Sequence, residues 1–213
     1  RFGGRAHVAS SDQLEQLIEL EPDLVVVSKF ADENLMARLR EAGILVFDLG
    51  ETRGVSTTLP NIRTLAALLQ ARDRGAQLEA RFSLELQALD DAVDDADRPQ
   101  GLFLTVYGDS ISGGSAGTSY GDMLHYAGVR DLAEEHGYRE WPQYTPEQII
   151  AMDPALVITE PNMAAAICGH SVLAELRACG PEGRVVEVAG GYIGDPGLGV
   201  VQAAAAVQAL VHP

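Results

Sequence analysis

Residues 76–96 read AQLEARFSLELQALDDAVDDA, and the rest of the chain is organised around this stretch. Leu78, Phe82, Leu86, Leu89 and Val93 recur at intervals of three and four, an apolar stripe on an otherwise charged rod. The spacing predicts one helix, roughly 30 Å long at about 1.5 Å per residue. Gly75 before it and Pro99 after it are the expected stops.

One pattern is written on both sides of this rod. Before it come IELEPDLVVVS (residues 18–28), a helical stretch from Asp32, and AGILVFDL (42–49). After it come IAMDPALVITE (150–160), a helical stretch, and GRVVEV (183–188). Each copy runs helix end, acid-Pro stop, β-branched strand, helix, glycine and second strand. Strands that are apolar on both faces suit parallel sheets covered by helices, and strand-helix-strand in this order is a right-handed βαβ unit. The expectation is an α/β chain with an N-terminal lobe at residues 1–75, an inter-lobe helix at 76–98 and a C-terminal lobe at 99–213.

Between these landmarks, helices are expected over residues 12–20, 32–42 and 121–127. Others begin at Pro60, at Thr145 and at Asp195, the last being Ala-rich and suited to close packing on a sheet. The strand 102–107 runs into GDSISGGSAG, from Gly108 to Gly117. A strand, a glycine loop and a helix can cradle phosphate, but neither a P-loop lysine nor GxGxxG is present.

Composition removes several classes. The chain has 213 residues, 46% hydrophobic and 22% charged, enough to bury a core. Its 15 Lys and Arg face 31 Asp and Glu, a formal charge of -16, and Lys29 is the sole lysine. Nucleic acid and anionic membrane surfaces are poor partners for such a surface, because both need cations to neutralise phosphate. No apolar run reaches the roughly 18 residues of a membrane span. Cys168 and Cys179 lack zinc-site or CxxC spacing; a local disulfide suited to an export compartment is expected, with two reduced buried thiols as the plainer alternative. The five histidines are scattered, so no metal site is expected. His125, beside Leu124 and Tyr126, reads as a packing residue.

Four motifs stand in a recognisable order: LIELEPDLVVV (17–27), LREAGILVF (39–47), TSYGDMLHYAG (118–128) and YTPEQIIAMDPALVI (144–158). From about Ser11 onward the chain resembles the substrate-binding proteins of ABC importers for cobalamin, ferric siderophores and haem. The resemblance implies two Rossmann-like α/β lobes joined by a single long helix, and a ligand held in the cleft between them. A membrane permease is then the partner, no cofactor or catalysis is involved, and the protein is a monomer. Its place is the periplasm, or an exported position anchored as a lipoprotein. Relatives carry a further strand and helix before the position of Arg1, so the N-terminal lobe is expected to be incomplete. They also often have Gly-Pro-Arg ahead of the last helix, where this chain has Gly194-Asp-Pro-Gly-Leu-Gly199.

In open parallel sheets ligands sit at the carboxyl ends of strands. That rule selects Lys29, Phe30, Thr52, Arg53, Tyr107, Glu160 and Asn162; Tyr120, Trp141 and Tyr192 join them from loops or helix starts expected to face the same place. Aromatic faces supply area for a planar macrocycle, and Arg53 or Lys29 could pair with its carboxylates. Each also has an ordinary role: Tyr107 as a lid on the core, Arg53 and Lys29 as surface charges, Tyr120 as a helix-start packing residue. The competing functional class is an α/β enzyme that binds a phosphorylated metabolite or nucleotide between Gly108 and Gly117.

Overall fold

The computed structural model describes residues 14–28, 32–188 and 191–212. The helix start expected at Ser10 to Asp12, and the candidates Lys29 and Phe30, lie outside the described residues. The chain divides into two compact units, residues 1–52 and 53–213.

In the first unit, α1 (Leu14–Glu19) leads to β1 (Leu24–Val27), α2 (Glu33–Glu41) and β2 (Leu45–Asp48). Asp32 caps α2 by accepting from the Asn34 and Leu35 amides, and Gly43 leaves the helix at φ 80°, a conformation that suits glycine. β1 and β2 pair in parallel from Leu24↔Leu45 to Val27↔Asp48. The βαβ unit is therefore as expected, but β1 is not a central strand among the described residues. β2 is its only partner there and Val26 is 39% exposed.

The second unit opens with two helices, α3 (Val55–Leu68) and α4 (Arg72–Asp90). Two punctuation readings fail here. Gly75 lies inside α4, buried, where an added Cβ would stand 2.2 Å from the Ala66 Cβ of α3. It is a contact point between two helices, and the rod begins one turn earlier than its stripe suggests. Pro60, the expected helix start, lies within α3, which begins earlier at Val55 and runs through Ser56, Thr57 and Thr58. Thr57 accepts from the Arg53 amide and, with Thr58, reaches back to the Gly54 carbonyl. These bonds let a helix start where hydroxyl residues usually signal a turn. The rod also ends at Asp90, short of the expected Ala96.

Beyond it come β3 (Gln100–Tyr107), β4 (Ser110–Gly113), α5 (Ser119–Tyr126), β5 (Arg130–Asp131), α6 (Leu132–Glu135) and β6 (Gln143–Tyr144). Then follow α7 (Pro146–Met152), β7 (Leu156–Thr159), α8 (Ala164–Gly169), β8 (Arg184–Glu187) and α9 (Val200–Val211). The sheet order is β6-β4-β3-β7-β8, with β5 also beside β3. β7 is parallel to β3 and β8, while β4 and β6 are antiparallel. Alternation along β3 divides the core. Phe103 faces a cluster with Phe82 and Leu86 of α4, Met123 and Leu124 of α5 and Ala203, Ala204 and Val207 of α9. Leu102, Leu104 and Val106 face Ile149, Met152, Ile167 and Leu173 on the other side. The sheet is thus covered on both faces, which is why its strands read as continuous apolar runs. Cys168 and Cys179 form a disulfide with Cα atoms 5.5 Å apart.

Candidate functional site

The parallel pairing of β3 with β7 sets their carboxyl ends side by side. Tyr107 ends β3 and Glu160 follows β7, and the Tyr107 hydroxyl donates to Glu160 Oε2 at 2.8 Å. Tyr107 is 59% exposed, so it is no lid on the core. The carboxylate it bonds pushes its phenol pKa upward, because ionising the phenol would set two negative oxygens together.

Tyr120 stands beside this pair. Thr118 caps α5, its side chain accepting from the Gly121 amide, and this places Tyr120 in the first turn. Its ring stacks on Phe103 with centroids 4.1 Å apart and planes inclined by 21°. Gly114 lies against the ring, and any side chain there would overlap it. Gly194 lies against the hydroxyl, where an added Cβ would stand 3.2 Å from Oη. Burial raises the Tyr120 pKa, and the charges of Glu160 and Tyr107 raise it further. Tyr192 is half-exposed in the turn that leads to Gly194, closed by the Asp195 amide on the Tyr192 carbonyl. Asn162 is exposed two residues past Glu160, in the left-handed region at φ 67°.

A second group forms around Arg53. Its guanidinium pairs with Glu140 and lies 5.4 Å from the centre of the Trp141 ring, a cation–π distance. The expectation of a simple surface charge fails for Arg53. Trp141 is 45% exposed, so the lone tryptophan is not core. Glu140 is held at φ 60° by its own amide on Ala116 O and by the Ser115 amide on Glu140 O. Residues 113–117 therefore run between the two groups, touching Tyr120 at Gly114 and Glu140 at Gly117. Thr52 is half-buried at the end of the first unit.

Three residues of this arrangement went unselected in the sequence. Glu140 sat next to Trp141 but in irregular sequence, and nothing in its spacing linked it to Arg53. Phe103 carries no signal in the sequence beyond its place in the strand 102–107. Asp122 accepts from the Val55 amide at 2.6 Å and lies against Gly54, whose φ of 129° and lack of a Cβ permit the approach. It ties the start of α3 to α5. His125, in contrast, is not in the core: its side chain is 60% exposed.

The glycine-rich stretch is not a phosphate cradle. Ser110 to Gly113 form β4, which folds back on β3 in register Tyr107↔Ser110. Gly108, at φ 60°, supplies the tight reversal. A hairpin replaces the expected strand-loop-helix passage, and Gly113 and Gly114 serve close packing against Tyr144 and Tyr120. Among the described residues no three His, Cys, Asp or Glu side chains gather as a metal site. No described helix is long and apolar enough to cross a membrane.

Compared with known sequences, residues 9–187 match the periplasmic binding protein family. The chain belongs to this family. A cobalamin-binding protein of Halobacterium salinarum is 26% identical over 211 residues, covering 95% of this chain and 57% of that protein. The chain thus spans little more than half the length of this curated relative. Among solved structures, the periplasmic heme-binding protein BhuT in complex with two hemes is 27% identical, with TM-score 0.72 over 93% of this chain and 78% of that one. The periplasmic heme-binding protein HutB of Vibrio cholerae shares the fold at TM-score 0.80 and 21% identity, over 94% and 80%. The family and these structures are named as binding proteins, not as enzymes.

Proposed function

We propose that this chain is the substrate-binding component of an ABC importer, which captures a cobalamin, ferric siderophore or haem-like ligand and delivers it to a membrane permease. The observation that carries the reading is the strand-tip platform, where the Tyr107–Glu160 pair at the carboxyl ends of β3 and β7 stands beside Tyr120. It belongs to a chain whose family consists of binding proteins. Exposed tyrosines and Trp141 offer flat apolar area, and Glu160, Asn162 and the Arg53–Glu140 pair offer polar anchors at its margin. The cobalamin-binding relative and the haem-bound structure support the ligand class. The disulfide supports an exported protein, in the periplasm or held to a membrane by a lipid anchor. We expect a monomer.

Titration with cyanocobalamin, haemin and a ferric hydroxamate, read through the fluorescence of Trp141, tests this directly. One of the three is expected to give a saturable change that Tyr107→Ala weakens at least about tenfold, a difference of about 1.4 kcal/mol. No saturable change with any of them would overturn the reading. The enzyme alternative loses its basis, because the hairpin occupies the place of its phosphate loop.

A further inference from the structure

α3 starts two residues past Arg53 and brings no cap of its own. Gly54 stands at its N-cap position without a side chain, and no acid lies in its first turn. The first amides of a helix need an acceptor from somewhere. Asp122, 67 positions away on α5, supplies one, its Oδ2 accepting from the Val55 amide at 2.6 Å. A carboxylate placed there also meets the positive end of the helix dipole. Gly54 makes the approach possible, since at φ 129° an added Cβ would stand 2.1 Å from Asp122 Oδ2 and 3.0 Å from the Ser119 amide nitrogen. The backbone one residue past Arg53 is thereby seated on the backbone one residue before Tyr120. The Arg53 amide donates to Thr57 Oγ1, and the Thr58 hydroxyl stands 3.1 Å from the Pro196 carbonyl, two residues past Gly194. The start of α3 thus touches the segments that carry Tyr120 and Gly194, while the Arg53 guanidinium reaches Glu140 and the Trp141 face.

We propose that Asp122 is a positioning residue of the ligand site, which caps α3 from α5 and so fixes Arg53, with its Trp141 stack, relative to Tyr120. This rests on the transport reading above and adds to it a residue that acts through Arg53 and not by ligand contact. A guanidinium strengthens binding most when its backbone is already fixed, because ordering it at the moment of binding costs conformational entropy.

The test is a double-mutant cycle of Asp122→Ala and Arg53→Ala, read as affinity for whichever of cyanocobalamin, haemin and the ferric hydroxamate binds, alongside acrylamide quenching of Trp141. Asp122→Ala is expected to weaken binding at least about fivefold, the size of a lost helix cap, and to raise the quenching of Trp141 in the folded protein. In the Arg53→Ala background the same change is expected to add almost nothing, because the two residues act as one unit. Asp122→Asn keeps an oxygen facing the Val55 amide and is expected to bind within about twofold of the parent. Asp122→Glu keeps the charge but sets the carboxylate one carbon out of place against Gly54. It is expected to behave as the alanine variant does, and it takes that variant's place in the cycle should Asp122→Ala not fold. Additive losses in the cycle, affinity and quenching that neither variant changes, or binding that Arg53→Ala leaves intact would overturn the proposal while leaving the transport reading standing. Failure of every probe to bind removes both.

Discussion

Asp131 is a carboxylate whose ionisation works against its surroundings. It is largely buried, accepts from Ser115 Oγ at 2.5 Å and from the Ala133 amide at 3.0 Å, and has the charge of Glu134 nearby. Burial raises its pKa, and the hydrogen bonds recover only part of that shift. A carboxyl whose folded pKa is raised contributes stability below its unfolded value, about 4, and loses that contribution as pH climbs through the folded value. Asp122, raised by burial against the Val55 amide bond, acts in the same sense. Asp131→Asn copies the protonated form, since its amide can face Ser115 Oγ while that hydroxyl turns to Tyr138 O, 3.3 Å away. The variant is therefore expected to melt a few degrees above the parent at neutral pH, with the gap closing toward about pH 4. Melting curves across that range decide it; a gap independent of pH, or a less stable variant at neutral pH, would refute the assignment.

At the scale of elements, Gly75 shows how sequence and packing can disagree. Alanine is the better helix former by about 1 kcal/mol, so propensity alone makes Gly75→Ala stabilising. The added methyl would stand 2.2 Å from Ala66 Cβ, between two helix backbones that cannot yield as a flexible side chain does. Packing is expected to win, with a net loss of about 1–2 kcal/mol in urea unfolding, since overpacking costs about 1–3 kcal/mol. A neutral or stabilised variant would mean that α3 and α4 part easily. The same contrast marks what was legible. The acid-Pro strands, the α2 cap and the Ala-rich α9 were readable because local chemistry and tertiary role agree there. Gly75, Pro60 and β4 were not, because a glycine or proline carries the same letters whether it stops an element or packs inside one. Among the candidates, the strand-tip rule named Tyr107 and Glu160, which the structure brings into hydrogen-bond contact, and aromatic residues in loops named Tyr120, which stacks on Phe103, and Trp141, which lies beside Arg53. Glu140 escaped, since its link to Arg53 spans 87 positions and depends on a left-handed backbone that no pattern announces.

Across the whole molecule the core is unevenly shared. Of the described apolar residues that are buried, only Leu14 and Leu39 belong to residues 1–52, and both core clusters lie in residues 53–213. So short a stretch with so small a buried set is expected to hold together weakly, because a small unit buries too little of its chain to offset conformational entropy. The second unit has a sheet covered on both faces and a disulfide that closes residues 168–179. Trp141, the only tryptophan, lies in that unit, so its fluorescence reports on it alone, whereas far-ultraviolet circular dichroism counts helices and strands of both. In guanidinium the dichroism is expected to begin falling before the fluorescence changes, giving two transitions where a single cooperative domain would give one. A corrin or haem bound at the strand tips should move the fluorescence transition upward and leave the first dichroism step in place, provided its contacts lie in the second unit. Coincident curves by both probes would show that the first unit draws its stability from the second, and a ligand that shifts both steps equally would place contacts on each.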